Sequence, residues 1–451
     1  MLHYPGDSDT IAAIATAPGK SGIAVVKISG PQSIDLMRCV FISTKNPENH
    51  DRMMLYGHIA DGGEIIDDVL VCVMKAPASY TGEDVVEIQT HGGSTAAGIT
   101  LKLIVAAGAR IAGPGEFTKR AFLNGKIDLI QAEAVMEIVA AESHEYLRQA
   151  EQLMDGTFST RIEKLLDRIH ESAALLEMNI DFTDQVHGAV QISEIRGSID
   201  GTITELETLI SSYSTARRVR DGIRVVIAGN VNSGKSSLFN ALLGRKRAIV
   251  NESPGTTRDW IEERIDFEGL PINLIDTAGI RETPDTIERE GVEKTGDLIR
   301  DADCILYLTE ADFYSKTSSL PDFSDGRCLH VISKSDLLSH PEVAADTGNP
   351  LRVSSLTGEG MNTLRHALAD MARNCIGYSP SNTLVLVERH RTGLEAARKA
   401  LAQALSSIGT WSEEIISLEL REAEQHIESI LGRNIDVDIL DTVFSRFCIG
   451  K

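Results

Sequence analysis

The chain has little that would suit a secreted, membrane-bound or metal-scaffolded protein. Its six cysteines (Cys39, Cys72, Cys304, Cys328, Cys375, Cys448) include no CxxC pair and no metal-ligand spacing. In a chain of 451 residues this points to a reducing cytoplasm and away from a disulfide framework. No uncharged apolar run approaches the roughly 20 residues needed to span a bilayer. The start, Met1 to Thr10, lacks a basic region followed by an apolar stretch, so no signal peptide is expected. Basic residues are also in deficit. A formal net charge of -22 argues against broad, non-specific attraction to nucleic acid or anionic membranes, though a local basic patch remains compatible with it. Internal repeats and low-complexity segments are missing too. What is present, 42% hydrophobic and 24% charged residues, suits a soluble, cytoplasmic globular protein too long for one core.

The pattern changes along the chain. Over residues 1–119, β-like runs (Ile23–Ile28, Val69–Met74, Val85–Gln89) alternate with glycine turns at Asp61-Gly62-Gly63 and His91-Gly92-Gly93, and a helix is expected over Ser94–Ala107. This predicts a compact α+β domain. Residues 120–217 have helical spacing instead, as in Leu129, Ala132, Val135, Met136 and Val139, then Leu165, Ile169, Ala173, Leu176 and Ile180. Residues 379–451 are again helical in composition, and 218–378 have an α/β pattern. The expected architecture is an all-α domain built from both flanks, with a Ras-like α/β P-loop domain inserted into it.

The inserted segment carries the clearest chemistry. A strand, Arg224–Ala228, runs into Gly229-Asn-Val-Asn232-Ser233-Gly234-Lys235-Ser236 and then into an apolar helix beginning at Ser237. This is G-x4-G-K-S in the strand–loop–helix setting the motif needs. Glycines let backbone N–H groups converge on phosphate oxygens, and the helix N-terminus adds favourable partial charge. Lys235 is expected to reach the β- and γ-phosphates of GTP or GDP, and Ser236 to bind Mg²⁺. Downstream, Asn251-Glu252-Ser253-Pro254-Gly255-Thr256-Thr257 reads as a switch, with Thr257 completing the Mg²⁺ shell. A strand, Ile272–Ile275, ends in Asp276-Thr277-Ala278-Gly279, where Asp276 supports the metal and the Gly279 N–H senses the γ-phosphate. Two more strands, Cys304–Leu308 and His330–Ile332, precede Ser333-Lys334-Ser335-Asp336, and Arg352-Val353 leads into Ser354-Ser355. The Asp336 carboxylate can accept two hydrogen bonds from the guanine edge, a pattern adenine does not offer. GTPases of this type usually have asparagine where Ser333 stands. Loss of one such bond predicts a site weaker by about 0.5–1.5 kcal/mol that still selects guanine.

Hydrolysis lacks its usual helpers. Ile280 occupies the position where Ras-like switches carry a water-orienting glutamine, and Arg258 and Arg281 read equally well as cationic fingers or as solvated switch residues. By composition alone Glu288, within Asp285-Thr-Ile-Glu288-Arg-Glu290, is one exposed helix carboxylate among several.

These G motifs, together with Thr81-Gly-Glu-Asp84, His91-Gly-Gly93, Pro114-Gly-Glu-Phe117, Ala121-Phe-Leu-Asn124 and the ending Phe444-Ser-Arg-Phe-Cys448-Ile-Gly-Lys451, resemble the MnmE (TrmE) tRNA modification GTPases over essentially the whole length. The resemblance implies that a bound K⁺ replaces the arginine finger, with Asn232, Asn251, Ser253 and Thr256 at the ligating positions and Glu288 orienting water. It implies a folate-binding-like N-terminal domain that takes 5-formyl- or 5,10-methylene-tetrahydrofolate, with Lys27, Glu87, Lys126 and Lys451 at the contacting positions. Lys27 stands where arginine is usual, keeping the charge but losing the planar fork. Cys448 falls beside the folate as a nucleophile or proton-transfer group; a buried structural cysteine is the plainer reading, and Lys451 argues against prenylation. The resemblance further implies a homodimer and a flavoprotein partner, MnmG with FAD, in a heterotetramer or larger complex. The product would be an aminomethyl-type group on C5 of the wobble uridine of certain tRNAs. Arg217-Arg218-Val219-Arg220 either touches RNA or a partner, or is a solvated hinge. The rivals are a ribosome-assembly GTPase that binds RNA and a scaffolding GTPase without a covalent reaction.

Overall fold

The structure is a computed structural model. It describes residues 9–181, 192–230, 232–244, 261–277, 297–311, 326–337, 350–379, 384–409, 413–435 and 437–451. Two compact units emerge: residues 1–136, 153–203 and 396–451 form one, and residues 137–152 and 204–395 the other.

The first unit contains a seven-stranded sheet. Its strands are β1 (Ile11–Ile14), β2 (Ile23–Ser29), β3 (Phe41–Ile42), β4 (Leu55–Asp61), β5 (Glu64–Met74), β6 (Val85–His91) and β7 (Arg110–Ile111), in the order β3-β4-β5-β6-β2-β1-β7. Alternation along the strands decides what each face holds. Val26, Ile28, Val71, Val73, Val86 and Ile88 join Leu36 and Met37 of the helix Ser33–Val40 and Ala97 and Ile104 of the helix Ser94–Ala107 in one core. The intervening residues face the other way. Register places Ala13 opposite Lys27, Lys27 opposite Glu87, and Glu87 opposite Cys72, so one row crosses β1, β2, β6 and β5. That second face has its own apolar cluster, Ile11, Ala13, Ala112 and Phe117, with Tyr80 packed against it.

Helices complete this unit. Thr157–Asp181 packs against Glu413–Leu431, and the buried sides are the apolar ones, Leu165, Ile169, Ala173 and Leu176 on the first and Ile416, Leu420, Ala423 and Ile427 on the second. Exposed ion pairs, Arg421 to Glu177 and Arg433 to Glu163, flank the contact and add little to its stability. Leu440, Phe444 and Phe447 pack with Leu129 and Ala132, which fixes where the following residues, Cys448–Lys451, can go.

The second unit is built on a six-stranded sheet: β8 (Ile223–Gly229), β9 (Ile261–Phe267), β10 (Leu270–Asp276), β11 (Cys304–Glu310), β12 (Cys328–Ser333) and β13 (Leu351–Arg352), ordered β13-β12-β11-β8-β10-β9. Every pairing is parallel except β9 with β10, which is antiparallel. The parallel strands β8, β10 and β11 read as near-continuous Val, Ile and Leu because both of their faces are covered. Their carboxyl ends lie together, the usual ligand position in such sheets. No helix among the described residues is long and apolar enough to cross a membrane.

Candidate functional site

The nucleotide loop follows β8. Gly229 has φ +143, and a Cβ there would lie 2.3 Å from the Leu308 carbonyl oxygen, so only glycine lets the loop leave the sheet beside β11. Asn232 has φ 62, Gly234 has φ 83, and the helix Lys235–Leu243 starts at once. Lys235 Nζ donates to Gly229 O at 3.1 Å and Asn230 O at 2.9 Å, which holds the ammonium over the loop. Burial lowers its pKa and the Asp276 carboxylate works against that fall. Ser236 Oγ donates to Asp276 Oδ2 at 2.9 Å, joining the helix start to the end of β10. A hydroxyl and a carboxylate side by side make a hard, all-oxygen set that suits Mg²⁺. Thr277 Oγ1 donates to Ile227 O at 2.8 Å, which anchors the turn after Asp276.

The base-reading segment comes from the ends of β12 and β13. Ser333, 4% exposed, donates through Oγ to Ser233 O at 2.6 Å, with Thr309 O at 3.3 Å. Lys334 has φ 57 and its Nζ pairs with Glu310 Oε1 at 2.7 Å. Asp336 is exposed, and its Oδ1 accepts from the buried Ser354 Oγ at 2.6 Å. Ser355 is half-buried beside it, and Ser237 and Asn232 are exposed. So Asn232, Ser233, Gly234, Lys235, Ser236, Asp276, Thr277, Ser333, Asp336 and Ser354 come together at the carboxyl end of one sheet. Asn251, Glu252, Ser253, Pro254, Gly255, Thr256, Thr257, Ala278, Gly279 and Glu288 lie outside the described residues.

A second cluster sits on the other unit. Lys27 Nζ is 3.7 Å from Glu87 Oε1, with the lysine side chain only 14% exposed. The ammonium lies 5.2 Å from the Tyr80 ring centre and 5.5 Å from that of Phe117. Burial pulls the Lys27 pKa down, Glu87 pushes it back up, and Lys451 adds to the fall, which brings the Lys451 charge to this site. Main-chain bonds seat the Cys448–Lys451 segment: Phe117 N–H donates to Lys451 O at 3.2 Å, Gly115 N–H to Cys448 O at 3.4 Å, and Ile449 forms a bridge with Pro114. The Cys448 side chain is exposed, so the buried structural role does not fit it. Lys126 is also exposed; its Nζ donates to Pro77 O at 3.0 Å, and the structure records no pairing of it with Lys27 or Glu87.

Three neighbours escape sequence reasoning. Tyr80 and Phe117 flank Lys27, and Cys72 lies across from Glu87, its thiol pKa raised by burial first and by Glu87 next. The signal was available for two of them, since Tyr80 adjoins Thr81-Gly-Glu-Asp84 and Phe117 closes Pro114-Gly-Glu-Phe117. Other residues of those motifs build a scaffold. Arg120, with its side chain 8% exposed, pairs with Asp9, Glu83 and Glu116, while Ser29 Oγ donates to Glu83 Oε2 at 2.6 Å.

The family model "MnmE helical domain" matches residues 129–448, and "GTP-binding protein TrmE N-terminus" matches residues 10–126. The chain belongs to the MnmE family. It is 39% identical to the tRNA modification GTPase MnmE of Geotalea uraniireducens (strain Rf4), over 98% of this chain and 99% of the relative. It is 40% identical to MnmE of Carboxydothermus hydrogenoformans, over 98% and 99%. MnmE of Chlorobaculum tepidum is 38% identical, over 100% of this chain and 99% of its own length. As an MnmE-family protein the chain is a GTPase with an N-terminal TrmE domain, a helical domain and a P-loop G domain, as its motifs predict.

Proposed function

We propose that this MnmE-family GTPase acts in the cytoplasm on certain tRNAs. There, as a homodimer working with the FAD-containing flavoprotein MnmG, it installs an aminomethyl-type group, aminomethyl or carboxymethylaminomethyl, at C5 of the wobble uridine. The observation that carries the reading is the Lys27–Glu87–Lys451 cluster, because a GTP-driven switch alone has no use for a half-buried lysine–glutamate pair on a separate unit. A 5-formyl- or 5,10-methylene-tetrahydrofolate bound there would supply the one-carbon unit. The residues fit such a ligand. Lys27 and Lys451 offer positive charge to carboxylates, Glu87 accepts from ring N–H groups, and the half-buried Tyr80, backed by the fully buried Phe117, offers an aromatic face to a flat heterocycle. Cys448, exposed on the adjoining segment, is accessible for proton transfer or nucleophilic attack, and Lys126 is the remaining contact position.

On the G domain, Lys235 and the loop N–H groups bind the β- and γ-phosphates, and Asp336 reads guanine with Ser354 fixing its carboxylate. Ser236, Thr257 and Asp276 hold Mg²⁺, which neutralises phosphate charge when bound. Glu288 orients the attacking water. Asn232, Asn251, Ser253 and Thr256 hold K⁺, which stands in for a cationic finger worth about 10³–10⁵ in rate. The domain limits that accompany this reading are 1–119, 120–217, 218–378 and 379–451.

GTP hydrolysis measured in K⁺ and in Na⁺ tests the G-domain half, with a large K⁺ preference expected and equal rates refuting it. Mass spectrometry of tRNA nucleosides from a deletion strain tests the rest. Loss of the C5 modification is expected; an unchanged wobble uridine would favour the rival ribosome-assembly GTPase.

A further inference from the structure

We propose that Ser333 is a positioning residue that ties down the phosphate-binding loop and gives the purine base no hydrogen bond, so that this GTPase holds guanine without a donor from position 333 to N7. The proposal rests on Asp336 as the base-reading carboxylate. Ser333 ends β12 and its Oγ is 2.6 Å from Ser233 O and 3.3 Å from Thr309 O. Both neighbours are carbonyl oxygens, which only accept. A serine hydroxyl has one proton, whereas an asparagine amide has two. The single proton is committed to the nearer carbonyl, that of Ser233 in the loop. Guanine presents N7 and O6 as acceptors on one edge, so a side chain helps there only if it has a donor to spare. Asparagine could serve loop and base together; serine must choose.

The surroundings fix the choice. Ser233 is 1% exposed and its own Oγ already lacks a hydrogen-bond partner among the described residues. Turning the Ser333 proton away would leave the Ser233 carbonyl unpaired as well, at the full desolvation penalty of a buried polar group. A Cβ at Gly234, next in the loop, would be 4.0 Å from Ser333 Cβ, an ordinary van der Waals distance, so the loop and the end of β12 lie side by side here. Ser333 therefore keeps the loop-tying half of the asparagine's work and loses the base-facing half.

The test is calorimetric titration of the full chain with GDP and with 7-deaza-GDP, in which a C–H group replaces N7. The unaltered protein is expected to bind both within about twofold. Ser333→Asn is expected to prefer GDP by about three- to tenfold, one hydrogen bond's worth of affinity. Ser333→Ala is expected to bind both ligands more weakly with their ratio unchanged, and a fall confined to GDP overturns the proposal. A several-fold preference of the unaltered protein for GDP overturns the proposal, and so does Ser333→Asn without any such preference. Should the asparagine variant not fold, the unaltered protein still decides. Titration with ADP reports on Asp336 separately: equal affinity for GDP and ADP defeats that reading, whereas retained guanine preference with a 7-deaza penalty defeats only the role of Ser333.

Discussion

Replacing Gly450 with alanine should lift the Cys448–Lys451 segment off the N-terminal sheet. Gly450 has φ +92, and an added Cβ would lie 2.7 Å from Ala15 Cα and 2.8 Å from Ile14 O, both backbone atoms that cannot step aside. Such overpacking costs about 1–3 kcal/mol, and a positive φ at an alanine adds about 1–2 kcal/mol. Opposing this are the two main-chain bonds from Phe117 N–H and Gly115 N–H, worth about 1 kcal/mol each. The penalty matches or exceeds the hold, so the segment spends most of its time undocked. Phe444 and Phe447 stay anchored among Leu129 and Leu440, so the rest of the unit keeps its fold. Two measurements follow. Hydrogen exchange at the Phe117 amide should speed up by tenfold or more, since about 1.4 kcal/mol is tenfold in equilibrium. Titration with 5-formyl-tetrahydrofolate should show a comparable loss of affinity, while GTP hydrolysis by the other unit persists. If the Phe117 amide keeps its protection, the segment remains seated and the steric reasoning is wrong. If protection is lost but folate affinity is not, Lys451 plays no part in the site.

Two further substitutions probe the polar frames. Ser354→Ala removes the 2.6 Å donor to Asp336 and should weaken GDP binding about three- to tenfold by titration; unchanged affinity would show that the carboxylate orients itself. Arg120→Ala leaves Glu83 without its cation in a region where the arginine is 8% exposed, while Glu116 and Asp9 keep Arg110. It should destabilise the N-terminal unit by about 3–5 kcal/mol, seen as faster amide exchange along β1 and β6, and unaltered exchange would show the network to be solvated.

Much of the nucleotide site is legible in the sequence because its parts are local. The strand–loop–helix from Ile223 to Leu243, the Asp276 turn and the Ser333–Asp336 segment each announce themselves within a few residues. The helix expected over Ser94–Ala107 spans those residues. The strand expected over Val69–Met74 begins earlier, at Glu64; its first residues, Glu64 to Asp68, include three acids and are exposed or half-buried, so they show no buried β pattern. Long-range relations are not legible. That Ser333 differs from the usual asparagine is plain, but that its hydroxyl goes to Ser233 O depends on the end of β12 meeting the loop after β8. The Lys27–Glu87 pair is a property of register between β2 and β6, and β1 and β7 are too short to show any period. Arg120 gives no sign in its own neighbourhood that Asp9 and Glu83 will converge on it.

The docking of residues 448–451 against Pro114–Phe117 has a consequence for how the molecule matures. Those two segments bracket the helical and G-domain sequence, so the Lys27 cluster stays incomplete until the Leu440, Phe444 and Phe447 anchor brings residues 448–451 to it. Closing so long a loop costs only slightly more entropy than closing a short one, but contacts of this separation form late. A fragment covering residues 10–126 alone would thus carry Lys27 and Glu87 with one side of their site missing.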